Sequence, residues 1–299
     1  MQKVLVAGAN GLIGSRLSEQ LSDSGYSVHW LVRRPQAKQL WPQHAWDPAR
    51  GYVDTEALKG VDVLVNLAGS PIAVWPWTEK RKQEIAHSRL RSVKVLVDAL
   101  AAGGIVVNHI LQASGIGYYG HRGDLRLTES DGPGRHGFLT NVCKHWEEAA
   151  RQFQPHCDHL TILRTGLYLD PRGGVWKRLM PGLPFRILNY FGSGKHYYAW
   201  IHHTDYHAAI MHVLQRRISG PVNLTAPSPV THRDMMQAVK GQIPSLLIPG
   251  PPAALLRMIL GEMSSVVLDS CRAEPQVLLT SGFRFRYPVI REAVADLLS

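Results

Sequence analysis

The chain has little cysteine, no long apolar run and no block of single-sign charge, and each shortage removes a class of protein. Its three cysteines, Cys143, Cys157 and Cys271, are an odd number without metal-ligand spacing, which argues against a disulfide scaffold or a Cys/His zinc framework. A reduced, cytoplasmic protein is the expectation. No stretch approaches the ~20 apolar residues of a bilayer span, so no membrane partner is expected. A strand pattern starts almost at Met1, so no signal peptide is expected. Lys and Arg outnumber Asp and Glu by 33 to 23, yet no run of five or six like charges occurs. The densest basic stretch, Lys80-Arg81-Lys82 with Arg89, Arg91 and Lys94, reads mostly as a solvated helix face, so no nucleic-acid partner is expected. Histidine is plentiful at 15, with His202, His203 and His207 close together, but no H-E-x-x-H pattern appears and no metal is expected.

What is present begins with VLVAGANGLIG, residues 4–14. A short apolar run opens into Gly8, Gly11 and Gly14, and Leu17 and Leu21 follow at helical spacing. The pattern predicts a first strand, a tight turn and a helix start. Glycine lets the backbone bend sharply and lets a pyrophosphate approach closely. The helix N-terminus adds free N–H groups and a positive dipole end. Gly8, Asn10, Gly11, Leu12, Ile13 and Gly14 are therefore candidate cofactor-binding residues.

Strand and helix patterns alternate through the first half. Val4–Ala7, Ser27–Val32, Val61–Leu67, Ile105–Ala113 and His159–Arg164 read as strands, and Ser15–Ser24, Glu79–Leu100 and Phe138–Phe153 as helices. Such alternation predicts an α/β fold with a doubly wound parallel sheet and right-handed crossovers. Beyond Arg164 the texture changes. Residues 171–194 are rich in Gly and Pro, Trp200–Leu214 reads as a helix, Gly220–Leu224 as a strand, and Pro-Gly-Pro-Pro interrupts the chain at 249–252. The expectation is a dinucleotide-binding domain over 1–170, rejoined by 200–224, with 171–299 mainly a smaller C-terminal cap. Neither internal repeats nor low-complexity tracts are visible.

The second strand ends Val32-Arg33-Arg34-Pro35. An NAD binder places a carboxylate near this end to hold the ribose 2′-OH. Here stand two guanidiniums, whose paired donors match a phosphate. Arg33 and Arg34 thus point to NADP(H) and its 2′-phosphate.

Several stretches together resemble the extended, epimerase-like form of the short-chain dehydrogenase/reductase superfamily. They are the glycine turn, Asn66-Leu67-Ala68-Gly69, QASGIGYYG at 112–120, LRTGLYLDPRGG at 163–174, WIHHTD at 200–205 and GPVNLTAPSPVT at 220–231. AWDPARG, NLAGSPI, WTEKRKQEI and GYYGHRG resemble its atypical branch, the epimerase family proteins, and residues 261–298 resemble the short domain of unknown function that closes them. The resemblance adds Leu67, Ala68, Gly69, Arg89, Ser114 and Arg164 to the cofactor-binding set.

The resemblance also implies a serine, a tyrosine, a lysine four residues later and an asparagine from a neighbouring helix. Ser114 matches the serine. Aligning the helix on Glu147 puts Leu139 at the tyrosine and Cys143 at the lysine position; a slip by one puts Thr140 and Lys144 there. Neither register supplies a phenol, and Arg89 falls at the asparagine position. Two readings stay open. One is an NADP(H)-dependent oxidoreductase or epimerase-like enzyme acting on a small carbonyl or alcohol. In it Tyr118 or Tyr119 replaces the missing acid, Arg89 stabilises charge, and Cys143 is a thiol activated by Arg89 or Lys144. The other is an NADP(H)-binding sensor without turnover. Aromatics such as Trp77, Trp176, Phe185, Tyr198 and Trp200 are candidates to line a substrate pocket, with Arg186 and Lys195 as receivers of an anionic substituent. The partners expected are a small-molecule substrate and a second copy in a homodimer.

Overall fold

A computed structural model describes residues 1–36 and 39–299. Its first strand, β1 (Lys3–Ala7), shows why the chain winds as it does. Val4, Val6, Leu5 and Ala7 are all fully buried. Side chains alternate across a strand, so a strand apolar at every position must be covered on both faces. Val4 and Val6 pack with Leu17 and Leu21 of α1 (Leu12–Asp23), and with Ile210 and Val213 of the His203–Arg216 helix. Leu5 and Ala7 face the other way, onto Val93 and Leu96 of α2 (Glu79–Ala102) and Trp146 of α3 (Phe138–Ala150).

Around β1 lies an eight-stranded sheet. On one side come β2 (Ser27–Val32), β3 (Gln43–Asp47) and β4 (Tyr52–Val53). On the other come β5 (Val63–Asn66), β6 (Val107–Gly115), the Cys157–Thr165 strand and finally Gly220–Leu224. All pairings are parallel except β3 with β4. The chain leaves β1 toward β2 and returns to its opposite side at β5. The loops after β1 and β5 therefore diverge and open a crevice at the carboxyl ends, where doubly wound folds bind ligands.

Two expectations need correction. Trp200–Leu214 is not one helix. Trp200–His202 is a strand beside Leu167–Asp170, and the helix begins at His203. The break is local: His202 Nδ1 accepts the Thr204 N–H at 3.2 Å and caps the helix start. The first helix opens earlier than its apolar period suggests, at Leu12 directly behind Gly11.

The C-terminal part has its own core of Trp176, Tyr198, Trp200, Met235, Met236, Val294 and Leu297. Carboxylates join it to the sheet. Asp205 accepts the N–H groups of Arg286 at 2.7 Å and Tyr287 at 2.8 Å. Glu129 does the same for Asn223 at 3.0 Å and Val277 at 3.2 Å. His202, His203 and Asp296 bring their ligand atoms within 4.8 Å of one another, but Arg16 Nη1 already sits 3.1 Å from His203 Nδ1. A guanidinium there opposes a second cation, so the trio serves as a joint between helix and sheet. No helix among the described residues is long and apolar enough to cross a membrane.

Candidate functional site

The glycine turn lies at the crevice. Gly8 has φ +82°, and a Cβ there would stand 2.9 Å from the Leu67 carbonyl carbon and 3.0 Å from the Ala68 nitrogen. Only glycine lets the loops after β1 and β5 meet so closely. A Cβ on Gly14 would stand 2.4 Å from the Gly8 oxygen, so this glycine lets α1 press on the turn. Gly11 differs: it is exposed, and its Cβ would meet only the Gly8 oxygen, at 3.2 Å. No side chain caps α1 at Gly11. The first-turn amides of Leu12, Ile13 and Gly14 precede any intrahelical acceptor and remain donors for an anion.

The facing turn is shaped from below. Asn66 is fully buried, and its Oδ1 accepts the Ala68 N–H at 3.2 Å while Nδ2 donates to Gln112 at 2.8 Å. Arg89 rises from α2 beside Gly69, where a Cβ would stand 3.1 Å from its Cζ. Its Nη1 donates to the carbonyls of Ile85 at 2.8 Å and Ser70 at 3.1 Å, and its Cζ lies 4.9 Å from the Trp146 ring centre. Burial pulls its pKa below the ordinary value. No carboxylate pairs with Arg89 among the described residues. At the far side, Arg33 and Arg34 follow β2 directly and are both exposed.

The carboxyl end of β6 holds the polar centre. Ser114 Oγ donates to Glu147 Oε1 at 2.7 Å. Glu147 also takes the Arg164 guanidinium, Nε at 3.0 Å and Nη2 at 2.9 Å. Arg164 Nη1 donates to Tyr119 Oη at 2.9 Å, and its Cζ lies 3.7 Å from the Tyr118 ring centre. Burial opposes the Arg164 charge, but its bonds to Glu147 and Tyr119 hold its pKa above the ordinary value.

These bonds redistribute the roles expected from the sequence. Arg164, expected at the cofactor, is 3% exposed with every guanidinium nitrogen engaged inside the protein, because a buried guanidinium must be paired. Tyr119 is fully buried, and its one hydroxyl hydrogen lies between two acceptors, the Thr128 carbonyl at 2.9 Å and Asn223 Oδ1 at 2.8 Å. Burial drives its pKa far up. It props the strand end and faces no cleft. Tyr118 is half-buried. Burial raises its pKa as well, while Arg164 pulls it back.

On α3 both candidate registers meet the segment after β6. A Cβ on Gly117 would lie 3.4 Å from Leu139 Cβ and 3.6 Å from Cys143 Sγ, so those two face the end of β6. Lys144 turns outward beside Glu148. Thr140 faces the same segment, its hydroxyl donating to the Gly117 carbonyl at 3.1 Å. The activated thiol considered for Cys143 is corrected too: burial pushes it up to about 11 against the pull of Arg89. It stays protonated near neutral pH.

Glu147 is the residue that sequence reasoning used as a marker and missed as a participant. The available signal was Arg164 inside an apolar strand pattern, which demands a buried carboxylate nearby. Most of the aromatics assigned to a pocket lie elsewhere: Trp176, Tyr198 and Trp200 form the C-terminal core and Phe185 is 78% exposed. Trp77 alone of that group packs on Phe138, ring centres 5.0 Å apart. Arg186 lies apart from the crevice, reaching the Pro244 oxygen at 3.5 Å.

The fold and this strand-end centre define a nucleotide-binding Rossmann protein of the extended short-chain dehydrogenase/reductase type, with an atypical site. Residues 4–138 match the NAD dependent epimerase/dehydratase family, and residues 251–297 match a domain of unknown function, DUF1731. The Epimerase family protein of Mycobacterium bovis is 36% identical over 97% of this chain and 96% of its own. That of Staphylococcus aureus strain RF122 is 29% identical over the whole of both chains. The crystal structure of a human epimerase family protein, described as with NADPH, shares 27% identity over 99% of each chain with a TM-score of 0.85. The chain belongs to the epimerase family proteins.

Proposed function

We propose that this protein binds NADP(H) and reduces a small carbonyl compound, with Tyr118 as the proton donor. The observation that carries the cofactor is the exposed Arg33–Arg34 pair at the end of β2, where an NAD site would place a carboxylate. The human relative described with NADPH supports the same reading. The free amides behind Gly11 suit the diphosphate, and Arg89, with no carboxylate partner, suits a further phosphate or the substrate oxygen.

When bound, the cofactor supplies a hydride to the carbonyl carbon. The protein must then supply a proton to the oxygen. Ser114 stands at the strand end with its hydrogen committed to Glu147, so its oxygen can accept but not readily donate. Tyr118 is the phenol with an accessible side. Arg164, stacked on its ring, acts in the direction of the family lysine, but burial outweighs it and keeps the phenol protonated. A protonated phenol suits donation, hence reduction rather than oxidation.

The protonated Cys143 and the absence of a phenol on α3 favour a second reading, an NADP(H)-binding sensor without turnover. Titration calorimetry with NADPH and NADH tests the common part. The expected result is tighter NADPH binding in the wild type and equal binding of both in R33Q/R34Q. No heat from either coenzyme would overturn both readings. NADPH oxidation over a panel of ketones, aldehydes, quinones and nucleotide sugars separates the two.

A further inference from the structure

A cleft of about 860 Å³ opens between the segment that follows β6 and the C-terminal part. One wall is His121–Arg122 and Pro133–Phe138; the other carries Arg257, Ser264, Ser265, Leu268 and Asp269. Its first wall is continuous in the chain with the strand-end centre. That wall starts directly after Tyr119 and Gly120, Gly134 N–H donates to the backbone carbonyl of Tyr118 at 2.9 Å, and Phe138 begins α3, the helix that carries Cys143 and Glu147.

The charges of this cleft are unbalanced. Arg135, His136 and Arg257 line it and are exposed, and none of the three forms an ion pair among the described residues. Arg122 is occupied with the carbonyls of Tyr119, Gly132 and Pro133. Of the two acids on the lining, Glu262 is taken by Lys82, and Asp269 lies 4.0 Å from His121. Neither guanidinium, one from each wall, forms an ion pair, although the Asp269 carboxylate acts on Arg257 from a longer distance. Beside them are the Phe138 ring, backed by Trp77, and Leu268.

We propose that this cleft is the substrate subsite and that it takes a ring compound bearing a phosphate or carboxylate. The anion lies between Arg135 and Arg257, and the ring lies against Phe138 and Leu268. The guanidinium fork is suited to either oxyanion. The apolar wall supplies the burial that a charge pair in solvent lacks. Because the two arginines come from different walls, a bound anion also draws the C-terminal part toward the strand ends. The substrate assignment rests on the reductase reading above; the binding does not, which keeps the two failures apart.

The test is calorimetric titration of the full-length protein, with and without saturating NADPH, using phenyl phosphate, benzoate and benzyl alcohol. Phenyl phosphate or benzoate should bind and benzyl alcohol should not. R135Q/R257Q should weaken the anion by at least about tenfold while NADPH binding stays unchanged. R216Q/K240Q, which removes the same charge at exposed positions elsewhere, should change neither. A preference for phenyl phosphate marks a phosphate ester and a preference for benzoate a carboxylic acid, both within the proposed class. Failure of both anions to bind, equal binding by R135Q/R257Q, or equal binding of benzyl alcohol overturns the proposal. Anion binding without NADPH binding sinks the cofactor reading alone.

Discussion

Glu147 accepts the Ser114 hydroxyl at 2.7 Å while both of its oxygens hold Arg164. Ser114 and Arg164 are register partners on neighbouring strands, so one carboxylate from α3 ties two strand ends together at the candidate site. Glu147→Ala would leave a guanidinium that is 3% exposed without its counter-charge, at a cost of about 3–5 kcal/mol. Ser114→Ala removes one hydrogen bond and leaves that ion pair whole, at a cost of about 1 kcal/mol. Urea denaturation should separate the two variants clearly. Equal losses would mean that the carboxylate does not act as the tie.

The two tyrosines differ in surroundings and should differ in what their loss does. On any carbonyl the protein reduces, Tyr118→Phe should lower kcat by about 10²–10⁴-fold and leave NADPH affinity unchanged. Tyr119→Phe should lower the melting temperature, because its hydroxyl bonds Asn223 and Thr128 inside the core. A Tyr118→Phe variant with full turnover would remove the phenol from the mechanism.

Gly11 and Gly14 stand three residues apart and should fail differently. An alanine Cβ at 14 meets backbone on two sides, the Gly8 oxygen at 2.4 Å and Ala9 Cα at 2.8 Å. Something must shift, and Gly14→Ala should destabilise by about 1–3 kcal/mol. Gly11→Ala meets only the Gly8 oxygen at 3.2 Å, so it should fold nearly as well. Its methyl nonetheless stands beside the free amides, and NADPH affinity should drop. Normal coenzyme binding by a stably folded Gly11→Ala would show that the diphosphate does not lie there.

What could be read from the chain divides along physical lines. β1, its turn and α1 were legible because alternation, glycine and helical spacing are all local. β3 was not, because QHAWD offers only Trp46 as a buried apolar residue. The helical period through Trp200–Leu214 hid a strand because the cap that breaks it is a histidine, a rarer cap than Ser or Asp. At the site, Ser114 and Arg89 could be placed by order along the chain. The tie through Glu147 and the presence of Arg135 and Arg257 on the walls of one cleft are tertiary facts, made by segments that no period links.

The three thiols should resist alkylation at neutral pH. Burial pushes Cys143 and Cys157 up to about 11 and Cys271 to about 12. The thiolate is the nucleophile, so iodoacetamide should label none of them rapidly at pH 7.5 in the native protein. Peptide mapping by mass spectrometry reads this directly. Fast labelling at Cys143 would restore it as a reactive group.

Stability should fall as the solution is acidified, through buried imidazoles. Burial lowers His109, His196 and His207 to about 4 and His232 to about 3, against an ordinary value of 6.5. Between those limits the unfolded chain binds protons that the folded chain refuses, so stability is fully present above pH 6.5 and is lost as pH falls toward 4. Glu129, Asp205 and Asp269, raised by burial, act in the opposite sense. The melting temperature should therefore decline by several degrees from pH 7.5 to pH 5.5. His232 contributes through its place under Phe191, whose N–H it accepts at 3.2 Å. His232→Gln should lower stability at pH 7.5 but flatten the decline, since the glutamine has no proton to gain. A melting temperature constant over that range would show that these imidazoles are not desolvated as the fold implies.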